Sequence, residues 1–156
     1  MVNSTLCYII RNGEYLMLHR VKKKNDINKD KWLGIGGKFE EGESPYDCIL
    51  RETAEETSLR LIDPVYRGLV TFTTADGYTE QMHLFSCERF EGELSECSEG
   101  ELEWVSTERV LELPIWEGDR IFLKLLAGEA PFFSLKLTYD GERLVGAVMD
   151  GKELPI

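Results

Sequence analysis

GGKFEEGESPYDCILRETAEET, residues 36–57, opens as a glycine turn and closes as a helix. Ser44 stands at the N-cap, Pro45 at the first helical position and Asp47 three residues after the cap, which predicts a helix running to about Thr57. The stretch packs six glutamates and one aspartate into twenty-two positions. Like charges at helical spacing destabilise by roughly 0.2 to 0.5 kcal/mol per pair, so this density calls for a counter-charge. Glu52, Glu55 and Glu56 lie at i, i+3 and i+4, so their carboxylates project from one face within a single turn.

Outward from this segment the chain reads as antiparallel pairs. TLCYII and EYLMLHR flank Arg11-Asn12-Gly13, YRGLVTFTT and TEQMHLFSCERF flank Asp76-Gly77, and FFSLKLTYD and ERLVGAVMD flank Asp140-Gly141. Each is a β-favouring run beside a strong turn signal. Helices are fewer: STERVLEL should be a short one stopped by Pro114, and GDRIFLKLLAG a second closed by Gly128. Strands that outnumber and alternate with helices predict an α/β sandwich around a mixed sheet.

The 156 residues are expected to form one domain, 1–156. Four scattered cysteines with no C-x-x-C pair, and no charged-then-apolar leader, are read as reduced thiols in a cytoplasmic protein. No apolar run approaches the roughly 20 residues that cross a bilayer, so no membrane partner is expected. With 29 acidic against 18 basic residues the net charge is -11, which excludes a general binder of nucleic acid polymers. A small polyanion remains admissible if divalent cations bridge it to the protein. Three hard carboxylates on a short arc suit Mg²⁺, with Mn²⁺ as a substitute; the bland alternative is a solvated acidic helix face.

The frame around the cluster decides between them. Gly37, Glu43, Arg51-Glu52 and Glu55-Glu56 match in spacing the motif of the Nudix hydrolases, and the chain resembles that family, with its box at 37–59. WLGIGGK at 32–38 and WEGD at 116–119 further resemble the branch that hydrolyses oxidised purine nucleoside triphosphates. The resemblance implies an α/β/α sandwich, attack of water on the phosphorus of a nucleoside diphosphate linkage, and divalent ions held by Glu52, Glu55 and Glu56. It also implies a backbone carbonyl of Gly37 or Lys38 beside the ions, and an ion pair by which Arg51 orients a catalytic carboxylate. The general base comes from the box or from a later loop, where Glu99 and Glu101 are both candidates.

For the substrate, Trp116 could stack on a nucleobase and Asp119 could read its edge; the alternative is a core tryptophan and a helix-start aspartate. Lys38 in the GGK turn and Lys23, among Arg20, Lys22 and Lys24, are the candidate phosphate ligands. Leu33 stands where the vertebrate oxidised-purine enzymes carry a base-reading asparagine, and Gly118 where they have the first of two aspartates. Ser58 replaces the usual helix-ending glycine, and Thr53 an aliphatic residue. His19, His83 and the cysteines are read as structural. The expected function is Mg²⁺-dependent hydrolysis of a purine nucleoside triphosphate such as 8-oxo-dGTP to monophosphate and pyrophosphate, by a monomer or homodimer. The alternatives are another nucleoside diphosphate derivative (a sugar nucleotide or dinucleoside polyphosphate) and a non-catalytic nucleotide-binding module.

Overall fold

The computed structural model describes all residues, Met1–Ile156. In chain order its elements are β1 (Val2–Arg11), β2 (Glu14–His19), β3 (Trp32–Leu33), α1 (Pro45–Thr57), β4 (Arg60–Ile62), β5 (Val65–Thr74), β6 (Thr79–Cys87) and β7 (Arg89–Glu91). β8 (Glu101–Ser106), α2 (Thr107–Val110), α3 (Glu117–Ala127), β9 (Phe133–Asp140), β10 (Arg143–Met149) and β11 (Lys152–Glu153) follow. A large sheet runs β11-β10-β9-β5-β6-β1-β2-β3, with β8 also on β2. It is mixed, because β1 pairs parallel with β6 and β5 parallel with β9 while the three hairpins pair antiparallel.

Alternation along β1 builds two cores. Leu6 and Tyr8 face one side, where Phe122, Leu123 and Leu126 of α3 pack with Val70, Leu84 and Leu137. Cys7 and Ile9 face the other, against Ile49 of α1, Leu59, Leu16, Leu18 and Phe85. The result is the expected sandwich, a helix on each face of a mixed sheet. No helix is long and apolar enough to cross a membrane. All four cysteines are free and buried.

Two elements differ from the sequence reading. TEQMHLFSCERF is not one strand: β6 ends at Cys87, and β7 leaves the large sheet to pair with β4 in a separate ribbon. STERVLEL keeps helix only over Thr107–Val110.

The start of α1 is as its sequence demands. Ser44 Oγ accepts from the Asp47 N–H at 3.1 Å and Asp47 answers to the Ser44 N–H at 3.0 Å, a reciprocal capping box ahead of Pro45. At the other end, Ser58 is left-handed with φ 66° and donates its N–H to the Ala54 carbonyl. A β-carbon is unfavourable there by about 1 kcal/mol. Ser58→Gly should therefore raise the melting temperature by about 2–4 °C, measured by calorimetry; an unchanged or lower value would mean that the Ser58–Ser95 hydroxyl contact outweighs the backbone strain.

Candidate active site

Residues 35–38 run beside β1, with bridges Cys7 to Ile35 and Ser4 to Lys38. Glycine is needed here for close approach: a β-carbon on Gly36 would lie 1.9 Å from the Thr5 carbonyl oxygen, and one on Gly37 would lie 2.4 Å from the Glu52 carboxyl carbon. The glycines thus let α1 bring its carboxylates down onto the strand. Thr53 fits its hydroxyl into the buried side of α1, where Oγ1 finds no partner.

Arg51 organises the acidic face. Its Nε and Nη2 donate to the two oxygens of Glu43 at 2.7 and 2.9 Å, a bidentate pair. Nη1 donates to Glu52 at 2.8 Å and Glu55 at 3.2 Å, Nη2 to the Lys38 carbonyl at 3.0 Å, and Glu40 lies 3.1 Å from Nε. These hydrogen bonds hold Glu43 down to about 2 and push Arg51 up. Much of the crowding in the box is therefore balanced inside the protein, by arginine.

Glu56 is not balanced. Its side chain is buried, one carboxylate oxygen has no hydrogen-bond partner, and no cation pairs with it. Burial pushes its carboxyl up to about 9, helped by the charges of Glu99 and Glu52 and by a hydrogen bond shared with Glu99; the Gly36 N–H opposes the shift. Glu52 is likewise raised, chiefly by burial. Glu99 faces this pair from the loop before β8, held by Arg20 at 3.4 Å and Lys23 at 3.8 Å.

The candidate general bases thus separate: Glu99 meets Glu56, whereas Glu101 is exposed on β8 opposite His19. The Gly37 carbonyl accepts from the Thr5 N–H at 2.9 Å on the β1 side, and the Lys38 carbonyl accepts from Arg51; the backbone N–H that faces Glu56 is that of Gly36. Glu55 is 60% exposed and drawn to Arg51.

A divalent cation fits the chemistry of this donor set: hard oxygens, one of them buried and orphaned, and an excess of negative charge. The carboxylates do not converge as a closed cage, since Arg51 draws Glu52 and Glu55 towards itself. A cation at Glu52 competes with that guanidinium.

Trp116 and Asp119, the residues expected to meet a base, lie at the start of α3. Trp116 is buried: Nε1 donates to Asn28 Oδ1 at 2.8 Å, the Lys31 ammonium sits 4.8 Å over the ring, and Phe72 and Tyr139 meet the indole at near-perpendicular angles. Leu33 packs against the same core. Asp119 is buried and has no side-chain hydrogen bond, and burial pushes it up to about 7 despite Arg120 and Lys31. Tyr139 Oη accepts from the Gly118 N–H at 2.7 Å and pins this turn. Tyr8, fully buried with an unpartnered hydroxyl and in electrostatic contact with Asp119, escapes the sequence reading because TLCYII reads as an ordinary core strand. Asn28 escapes it as one polar residue in a lysine-rich loop. Lys38 is exposed, and Lys23 is 59% exposed.

This fold, carrying a glutamate helix locked by one arginine, defines a hydrolase of pyrophosphate linkages. The NUDIX domain matches residues 2–126, and the chain belongs to the Nudix hydrolase family. It is 32% identical to the Nudix hydrolase YvcI of Bacillus subtilis (strain 168) over 74% of its length and 72% of that protein. It is 29% identical to the oxidized purine nucleoside triphosphate hydrolase of Danio rerio, covering 82% of this chain and 81% of that one. The crystal structure of the mutator MutT protein from Bacillus halodurans superposes with a TM-score of 0.86 at 26% identity, over 97% of this chain and 99% of that one. The protein is thus a MutT-like enzyme of a family that takes small nucleotide substrates and generally uses divalent metals.

Titration of Glu56 gives a prediction for the metal-free protein. Its carboxyl is raised from an ordinary 4.5 to about 9, so between those values the folded state keeps a proton that the unfolded chain has released. That contribution to stability is complete below the unfolded value and is lost as pH rises through about 9. In excess chelator, Glu56→Gln should melt above wild type at pH 9, with the difference vanishing towards pH 4.5. An equal gap at both ends of this range would mean that Glu56 is not the titrating group.

Proposed function

We propose that the protein is a Mg²⁺-dependent pyrophosphohydrolase that converts a purine nucleoside triphosphate and water to the monophosphate and pyrophosphate. Oxidised purines such as 8-oxo-dGTP are included, and Mn²⁺ substitutes. The observation that carries this reading is the buried Glu56 carboxyl, which has one orphaned oxygen and no cationic partner, beside Glu52 and Glu99. The named activity of the Danio rerio relative supports the substrate class. The physiological role is sanitation of the nucleotide pool in the cytoplasm, by a chain that works as one unit because β9–β11 lengthen the same sheet.

Glu52, Glu56 and Glu99 would hold the cation, with Glu55 in reserve on the same helical turn. When bound, it supplies Lewis-acid polarisation of the phosphate oxygens and neutralises charge developing on the leaving pyrophosphate. Arg51 keeps Glu52 and Glu55 oriented while Glu43 anchors its guanidinium. A Glu99 oxygen accepts the proton of the attacking water, and Lys38 and Lys23 offer cationic groups to the phosphates. Trp116, Asp119 and Leu33 form the base end, with Lys31 covering one face of the indole until a base displaces it.

Glu52→Gln and Glu56→Gln should each lower kcat at least about 10²-fold with the fold intact, since each removes a charge that holds the cation. Activity should vanish in EDTA. Full turnover in excess EDTA, or both variants within tenfold of wild type, would exclude the site. A panel of normal and oxidised nucleoside triphosphates, sugar nucleotides and dinucleoside polyphosphates, with phosphate and pyrophosphate resolved, identifies the substrate.

Base selection has its own test. Trp116→Ala should cost about 1 to 3 kcal/mol of binding, the worth of a base–aromatic stack. Asp119→Asn, which exchanges an acceptor oxygen for a donor, should change which purine is preferred. Leu33→Asn should raise the preference for 8-oxo-dGTP over dGTP, because an apolar side chain cannot penalise the wrong edge by leaving a buried group unpaired. Unchanged kcat/KM ratios across the purine triphosphates in all three variants would place the pocket elsewhere.

A further inference from the structure

Residues 20–31, RVKKKNDINKDK, are mostly charged, and Lys22 to Asn25 are exposed. Such a segment gains little from apolar burial and needs specific ties to hold one shape. It has them. Asn25 and Asp30 are left-handed, and the N–H groups of Lys29 and Lys31 turn back onto the carbonyls of Asp26 and Asn28. Two side chains in this polar loop are nearly buried: Arg20 at 13% and Asp26 at 6% exposure.

Those two begin a continuous polar chain. Arg20 Nη1 lies 3.4 Å from a Glu99 oxygen, and Arg20 Nε donates to Asp26 Oδ2 at 2.8 Å. The second Asp26 oxygen accepts from the Asn28 N–H at 3.0 Å, and Asn28 Oδ1 accepts from Trp116 Nε1 at 2.8 Å. Asp26 therefore uses one oxygen towards the glutamate end of the site and the other towards the indole. The Lys22 N–H to the Glu99 carbonyl, at 3.4 Å, is a second tie at the glutamate end.

We propose that residues 20–31 form a positioning strut in which Arg20 sets the Glu99 carboxylate, Asn28 sets the Trp116 indole, and Asp26 couples the two. The inference rests on the reading of the site given above, with a divalent cation near Glu99 and a base at Trp116. A shift of Glu99 towards a cation pulls on Arg20, and through Asp26 that displacement reaches Asn28 and the indole. By linkage, occupancy of the indole alters cation affinity by the same factor. Arg20, Asp26 and Asn28 act through other groups and are positioning residues.

Asp26→Asn is the discriminating variant. The asparagine oxygen still accepts from the Asn28 N–H, so the turn survives, while its NH₂ cannot accept from Arg20. The protein, labelled with ¹⁵N at tryptophan, is titrated with Mg²⁺ alone, and the indole N–H resonance missing from Trp116→Phe is followed while calorimetry records binding. Wild type should bind Mg²⁺ and shift the Trp116 resonance; Asp26→Asn should bind Mg²⁺ with that resonance unmoved.

Kinetics supply the second arm. Arg20→Lys should lower kcat by about 10-fold with KM little changed, as for residues that orient a ligand of a metal. Asn28→Ala should raise KM for the preferred triphosphate about fivefold with kcat little changed, the worth of one hydrogen bond, and Asn28→Asp should restore it. Asp26→Asn should show both changes, a split that a simple loss of folded protein does not produce. Mg²⁺ binding without any Trp116 shift in wild type, or an equal shift in Asp26→Asn, overturns the strut and leaves the metal site standing. No Mg²⁺ binding at all overturns the metal site, and the strut with it.

Discussion

The guanidinium of Arg51 is the contact on which the site depends. It is shared by Glu40, Glu43, Glu52, Glu55 and the Lys38 carbonyl, and so ties the glycine turn to the helix across which the acidic residues are spread. A lysine could not replace it, because the planar fork meets both oxygens of Glu43 while its remaining donors reach two more carboxylates. The arginine neutralises part of the cluster, Arg20 and Lys23 hold Glu99, and Glu56 is left without a cationic partner. That division makes the site both foldable and receptive: charge that is balanced locally shapes the loop, and the carboxyl left without a partner is open to a ligand.

The backbone beneath it makes the same compromise. Packing α1 against β1 requires glycine at 36 and 37, and the polar groups of that segment divide between the sheet and the carboxylates. Bare backbone between strand and helix lets carboxylates be half buried without an apolar neighbour covering them. The cost appears as a raised Glu56 carboxyl and an orphaned oxygen, the local strain expected where binding takes precedence over stability.

Much of this was legible in the chain. The helix at 45–57 and its capping box follow from Ser44, Pro45 and Asp47, and the three hairpins from their turn residues, because these are local signals. The spacing of Gly37, Glu43, Arg51 and the three helical glutamates carries the family. What sequence could not supply is long-range. The parallel pairings of β1 with β6 and β5 with β9 join residues more than sixty positions apart, with no local periodicity to mark them. The direction of the Gly37 carbonyl depends on pairing with β1, and the separation of Glu99 from Glu101 on the turn into β8. The burial of Trp116 under Lys31 needs three separate segments to meet.

The sheet does not stop where the match to the NUDIX domain stops. β9 covers one edge of β5 from Gly68 to Thr74, Tyr139 closes the turn at Gly118, and Glu142 reaches Lys31 at 2.8 Å. A fragment ending at residue 126 would keep all the acidic residues of the box, yet it would leave a long unpaired strand edge and an uncovered indole. Such an edge is a template for pairing with other chains. For proteolysis, truncation or fusion, the boundary that matters in this protein is therefore set by the hairpin that hides β5, beyond the end of the NUDIX match at residue 126.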